Sequence, residues 1–195
     1  MGYIASSYRK WVEQMGARAV AIPHWASIGE ISSMLSQVNG ILLPGGATSL
    51  KTNTGKPSKY TRQVERILAI AYQQAELGGH FPIWGTCLGF EMIVNTFSNR
   101  EVERMKIKTF NTNKKLIWVE KNYKNSTFAK TLSPKSKKSI SNNAISYFEH
   151  FWGIEKKNFE SNKKLKDFRV LAYYEKEKKQ IVSAIQHKSL PIFGV

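Results

Sequence analysis

With 195 residues, 42% of them hydrophobic and including five Trp, eight Tyr and ten Phe, the chain is expected to fold as a single domain, 1–195. No run of about 18 apolar residues is present, which excludes a membrane-spanning helix, and no charged leader followed by an apolar stretch opens the chain. The formal net charge of +16 is uneven: residues 1–103 hold nine Lys and Arg against seven Asp and Glu, and residues 104–179 hold twenty against seven. The excess sits in lysine doublets such as Lys114-Lys115 and Lys156-Lys157, which read as a solvated face rather than a nucleic-acid stripe.

In chain order, Met1-Gly2 fits the lipidation pattern formally but reads as the approach to a helix, where Ile4, Tyr8, Trp11, Val12 and Met15 recur at helical spacing before Gly16. "ARAVAI" (17–22) is expected to be a short strand ended by Pro23. Ser27 and Glu30 have capping-box spacing, and Ile28, Ile31, Met34, Leu35 and Val38 mark the helix that follows. "ILL" (41–43) reads as a buried strand, and Pro44-Gly45-Gly46 opens a polar loop to about residue 58. Val64, Ile67, Leu68, Ala71, Tyr72 and Ala75 mark the next helix, stopped at Gly78-Gly79; "FPIW" (81–84) is a third strand and 88–97 a helix. Such alternation predicts an α/β fold, a mostly parallel central sheet with helices on both faces and its strand C-termini along one edge. Beyond it, "KLIWVE" (115–120) is a candidate strand and 121–146 reads as loop. "FRVLAYY" and "QIVSAIQ" form a hairpin pattern, and "PIFGV" (191–195) reads as another buried strand.

Chemistry concentrates at Gly85-Thr86-Cys87-Leu88-Gly89, which holds the one cysteine of the chain. A nucleophile on a tight strand-to-helix turn needs small residues two positions either side, and this is the cysteine form of that pattern. The helix starting at Leu88 is expected to lower the thiol pKa, and the Leu88 N–H to donate to an oxyanion. Gly45-Gly46, at the end of the neighbouring strand, is placed to supply a second donor. Four histidines could serve as base: His24, His80 and His187 read as surface or turn residues, and His150, flanked by aromatics in "YFEHFWGIEKKNF", is the strongest of them.

These stretches resemble a known family. "YIASSYRKWVEQMGARAVAIP", "NGILLPGG", "FPIWGTCLGFE", "HFWGIEKKNF" and "LPIFGV" are similar, in order and over nearly the whole chain, to the γ-glutamyl hydrolases, cysteine hydrolases of the class I glutamine amidotransferase-like superfamily. The resemblance implies a flavodoxin-like fold and hydrolysis of γ-glutamyl bonds in folate poly-γ-glutamates through a thioester, with no metal or organic cofactor. Carried over by position, Cys87 is the nucleophile, Leu88, Gly45 and Gly46 form the oxyanion hole, and Glu91, His150 and Trp152 line the substrate pocket. It implies a small-molecule polyglutamyl partner, no nucleic acid and no membrane, a homodimer as an allowed assembly, and a lysosomal, vacuolar or extracellular location.

The family begins with a strand ahead of "YIASSY" and continues after "GV" with Gln, an aromatic residue and His-Pro-Glu, the His being the base and the Glu its orienter. This chain reads neither segment, so we expect it to be part of a longer gene product, read short where a codon for Gln is taken as a stop. Two other readings are carried from the same residues. A glutaminase domain would have Gln after the second glycine of the elbow, where Phe90-Glu91 stand; a binding or scaffold homologue would keep the pocket without turnover.

Overall fold

The computed structural model describes residues 3–78 and 80–195, so the Met1-Gly2 pattern and the second glycine of Gly78-Gly79 lie outside the described residues. Helix α1 (Ser6–Gln14) is followed by α2 (Ile28–Leu35), β1 (Ile41–Leu43), α3 (Lys59–Glu76), β2 (Ile83–Gly85) and α4 (Leu88–Phe97). The local signals are those read in the sequence. Ser27 and Glu30 form a complete capping box, and Gly16 follows α1 with φ 82°. The second half contains β3 (Met105–Lys114), β4 (Ile117–Trp118), α5 (Glu120–Tyr123), α6 (Thr127–Thr131), α7 (Pro134–Asn142), β5 (Ser146–Gly153), α8 (Lys156–Ser161), β6 (Phe168–Lys176), β7 (Lys179–His187) and β8 (Ile192–Gly194).

Six strands form one sheet in the order β1-β2-β8-β7-β6-β4. Neighbours β1, β2 and β8 run parallel, and the β6–β7 hairpin and β4 add antiparallel pairs, so the α/β fold is built on a mixed sheet. On one face α4 covers β1, β2 and β8: Ile83, Met92, Ile93, Val170, Ile185 and Ile192 share a core with Ile31 and Leu35 of α2 and Leu68 and Ala71 of α3. On the other, Trp84 of β2 packs at a tilt against Trp11 of α1 and edge-on against Phe128 of α6, while Leu171 and Ala184 pack with Trp118 and Phe128. Helices therefore lie on both faces.

Three expectations are corrected. Residues 17–22 form no strand; β1 is the last strand of the sheet on that side, no ladder from the described residues reaches 17–22, and Val20 is 64% exposed. "KLIWVE" contributes only Ile117–Trp118 before α5 begins. The stretch 121–146 carries short helices, two of them started by the serine caps Ser126 and Ser133. A separate antiparallel pair, β3 with β5, is not legible in the sequence; its register shifts twice, with Lys108 and Asn111 both at φ 43°.

Candidate functional site

The site grows from the β2–α4 turn. Parallel pairing sets Leu43 of β1 beside Gly85 of β2, and Gly85 beside Gly194 of β8, so three strand ends arrive together. The Thr86 N–H donates to Leu43 O (3.0 Å) and the Cys87 N–H to Val195 O (2.7 Å), which tethers the turn on both sides. Cys87 itself has φ 52° and ψ −110°, a sparsely populated backbone for a residue with a side chain, and it holds because its surroundings over-determine it. A Cβ at Gly89 would lie 2.1 Å from Leu43 O, so only glycine lets α4 come this close to β1. The expectation that Cys87 and Gly45-Gly46 meet on one edge agrees with this geometry: a Cβ at Gly45 would be 3.3 Å from the Cys87 Cβ.

The main-chain N–H groups of Leu88 and Gly46 favour the charged sulfur, and the Gly46 loop packs on Leu88, with a Cβ at Gly46 3.5 Å from Leu88 Cδ2. Gly45 has a different job. Its N–H donates to the hydroxyl of Tyr8 from α1 at 2.9 Å, which fixes the loop that aims Gly46. Of the three residues expected to form an oxyanion hole, Leu88 begins α4 directly after Cys87, Gly46 packs on Leu88, and Gly45 is held by Tyr8.

The electrostatics depart from the sequence reading. Burial, and then the Glu91 carboxylate, push the Cys87 thiol above its ordinary value, outweighing the Leu88 and Gly46 N–H groups and the Arg104 charge, which pull it down. A helix N-terminus favours a thiolate, but a buried carboxylate one turn along the same helix opposes it. Glu91 is itself raised by burial, against the pull of Arg104. Arg104 Nη1 donates to Glu91 Oε2 at 2.5 Å, and its guanidinium carbon lies 5.0 Å from the centre of the Trp152 ring. Tyr60, in the first turn of α3, is pushed up to about 12 by burial and by the charges of Glu91 and Cys87, so its phenol keeps its proton at neutral pH.

Trp152 therefore reaches the site through Arg104. His150, two residues earlier on β5, faces a different set of partners. Its Nδ1 meets Trp152 O at 2.7 Å and its Nε2 the Tyr174 hydroxyl at 3.1 Å. From Tyr174 the chain of hydrogen bonds passes to Thr109 Oγ1 (3.2 Å) and on to Lys176 Nζ (3.3 Å). A neutral imidazole with its proton on Nδ1 satisfies every link: Lys176 donates to Thr109, Thr109 to Tyr174, Tyr174 to Nε2, and Nδ1 to the carbonyl. Burial and the Lys176 charge depress the His150 pKa against the pull of the Trp152 carbonyl, in keeping with that form. Both ring nitrogens are thus spent away from Cys87. His187 Nδ1 accepts the Leu190 and Ser189 N–H groups (3.0 and 3.3 Å), and His24 packs edge-on against Trp25.

Sequence reasoning passes over Tyr8, Tyr60 and Arg104. In the sequence Tyr8 is one position of a helix face, and Arg104 is one more cation of the basic half. Among the described residues no cluster of three or more His, Cys, Asp or Glu could hold a metal, and no helix is long and apolar enough to cross a membrane.

Comparison with known proteins places this geometry. The Peptidase C26 family model matches residues 1–195. Gamma-glutamyl hydrolase of Mus musculus is 32% identical over 195 residues, covering 99% of this chain and 59% of that protein, so the chain spans about three fifths of this curated relative. Among solved structures, a Thermoplasma acidophilum protein assigned to GMP synthase superposes with a TM-score of 0.62 at 18% identity, covering 99% of this chain and 77% of that one. A glutamine amidotransferase from Thermotoga maritima gives 0.54 at 10% identity, covering 96% and 67%. The two superpositions concern the fold alone, and that is the fold the βα alternation of the sequence leads to.

Proposed function

The chain belongs to the Peptidase C26 family, and from that premise we propose that it is a cysteine hydrolase of γ-glutamyl bonds, acting on folate poly-γ-glutamates. The observation that carries the reading is the Cys87 turn: a positive-φ cysteine at the start of α4, with the Gly45-Gly46 loop packed against it. In this mechanism the Cys87 thiol gives up its proton and the sulfur attacks the γ-carbonyl carbon. The resulting oxyanion is held by Leu88 N–H and Gly46 N–H. The C–N bond then breaks, the amine leaves with a proton, and water cleaves the thioester to regenerate the thiol. Glu91 and Trp152 form the pocket wall, joined by Arg104, and His150 braces that wall. No metal or organic cofactor takes part.

The thiol proton is taken up by a general base and returned to the leaving amine. The Val195 carbonyl accepts the Cys87 N–H, so the end of β8 lies beside that proton transfer. Such help contributes roughly 10²- to 10⁴-fold to rate. The test is release of glutamate from a γ-glutamyl peptide, set against release of ammonia from glutamine. The γ-peptide is expected to be cleaved in preference, and Cys87→Ala to abolish cleavage; equal turnover by Cys87→Ala overturns the reading.

One observation favours a second reading, a homologue that binds the γ-glutamyl ligand without turning it over. The thiol is pushed up rather than down. In that case the peptide binds the chain but is recovered intact.

A further inference from the structure

The Glu91–Arg104–Trp152 wall carries chemistry that the thioester mechanism leaves unused. Arg104 is tightly placed: its side chain is 19% exposed, one guanidinium N–H is bound to Glu91, and the plane lies against Trp152. A guanidinium has five N–H donors in a fixed fork, and among the described residues Arg104 makes this one side-chain hydrogen bond. The fork is therefore oriented by an acid on one side and an aromatic face on the other, with donors left over. Carboxylates are the ligands such a fork matches. Its partner Glu91 lies in the first turn of α4, whose N-cap is Cys87, so the guanidinium is anchored one helical turn from the nucleophile. Trp152 is 40% exposed, so this wall reaches the surface of the molecule.

A γ-glutamyl group differs from an ordinary aminoacyl group in one respect that matters here: its α-carboxylate is free, on the acyl side of the bond to be cut. We propose that Arg104 is the specificity-determining residue that binds this α-carboxylate, and so selects γ-linked over α-linked glutamyl substrates. The inference rests on the γ-glutamyl reading given above. Glu91 acts in it as the positioning residue, fixing the guanidinium so that the open side of the fork faces the substrate. Trp152 holds the plane from the other side.

The test needs no turnover. Cys87 is alkylated with iodoacetamide in the presence of N-acetyl-γ-glutamyl-glutamate, or of the same dipeptide with its γ-linked residue's α-carboxylate converted to carboxamide. In the wild-type chain the carboxylate form is expected to protect at concentrations about tenfold lower, the scale of a charge-assisted hydrogen bond. Arg104→Met is expected to bring the two forms level, and Arg104→Lys, which keeps the charge without the fork, to retain part of the preference. Circular dichroism and Tm confirm that each variant is folded. A preference that survives in folded Arg104→Met, or equal protection by both forms in the wild type, overturns the assignment of Arg104 while leaving the γ-glutamyl reading intact. Failure of both dipeptides to protect the wild type overturns that reading and this inference with it.

Discussion

Cys87 receives opposite instructions from its neighbours. The start of α4 and the Gly46 N–H favour a thiolate, whereas burial and Glu91 disfavour it, and the second pair wins. The alkylation rate of Cys87 by iodoacetamide is therefore expected to rise with a midpoint above the ordinary thiol range of about 8.5. Glu91→Gln removes a negative charge that opposes ionisation, so the midpoint moves down; Arg104→Met removes a favourable positive charge, so it moves up. A midpoint unmoved or raised by Glu91→Gln contradicts this picture of the site. Cys87, Leu88 and the paired glycines are legible in the sequence because the elbow is a local motif whose close approaches demand small residues at fixed spacing. Tyr8 and Arg104 are not, because their partners lie 37 and 13 residues away and nothing local marks them. The sign of the thiol shift escapes the sequence for a related reason. Helix polarity is visible in a sequence, but the burial of Glu91 beside the sulfur is a tertiary fact.

Among the elements, the β2–α4 unit, α3 and the β6–β7 hairpin match their sequence patterns: α3 has its Ser58 cap, and all three carry a regular apolar pattern. Strand β3 does not. Its text, "MKIKTFNTNK", alternates imperfectly because the two register shifts move side chains between faces. Lys176 compensates the distortion. Its ammonium donates to the carbonyls of Ile107 and Lys108 at the bulge and to Thr109, and so joins the bulge to the His150 chain. Lys176→Met leaves those carbonyls without their donor and is expected to cost about 1–3 kcal/mol in denaturant unfolding. The same change removes a positive charge that depresses His150, so the imidazole pKa read by NMR is expected to rise. A variant with unchanged stability and an unchanged imidazole titration would show that Lys176 is only a surface cation. Residues 17–22 fail as a strand on physical grounds as well: an apolar run becomes a strand only where a neighbour offers a ladder, and none of the described residues does so there.

At the scale of the molecule, the two halves of the sequence differ in charge and meet at the site. The first half supplies Cys87, the Leu88 and Gly46 donors and Glu91; the basic second half supplies Arg104 and Trp152. As sequence, the basic half reads as solvated lysine surface, and most of its cations remain so. Arg104 is one of the exceptions, partly buried against an acid and an indole one helical turn from the nucleophile. On the proposed reading, that arrangement would give a ligand rich in carboxylates both a field to enter and a specific seat. The most direct test of a γ-glutamyl site built on Cys87 is labelling with a γ-glutamyl chloromethyl ketone, compared with its α-glutamyl isomer and read by intact and peptide mass. One addition per chain is predicted, located on Cys87, at a rate that saturates with the γ-reagent and exceeds that of the α-isomer. Equal, non-saturating rates for the two isomers, or modification elsewhere, would contradict it.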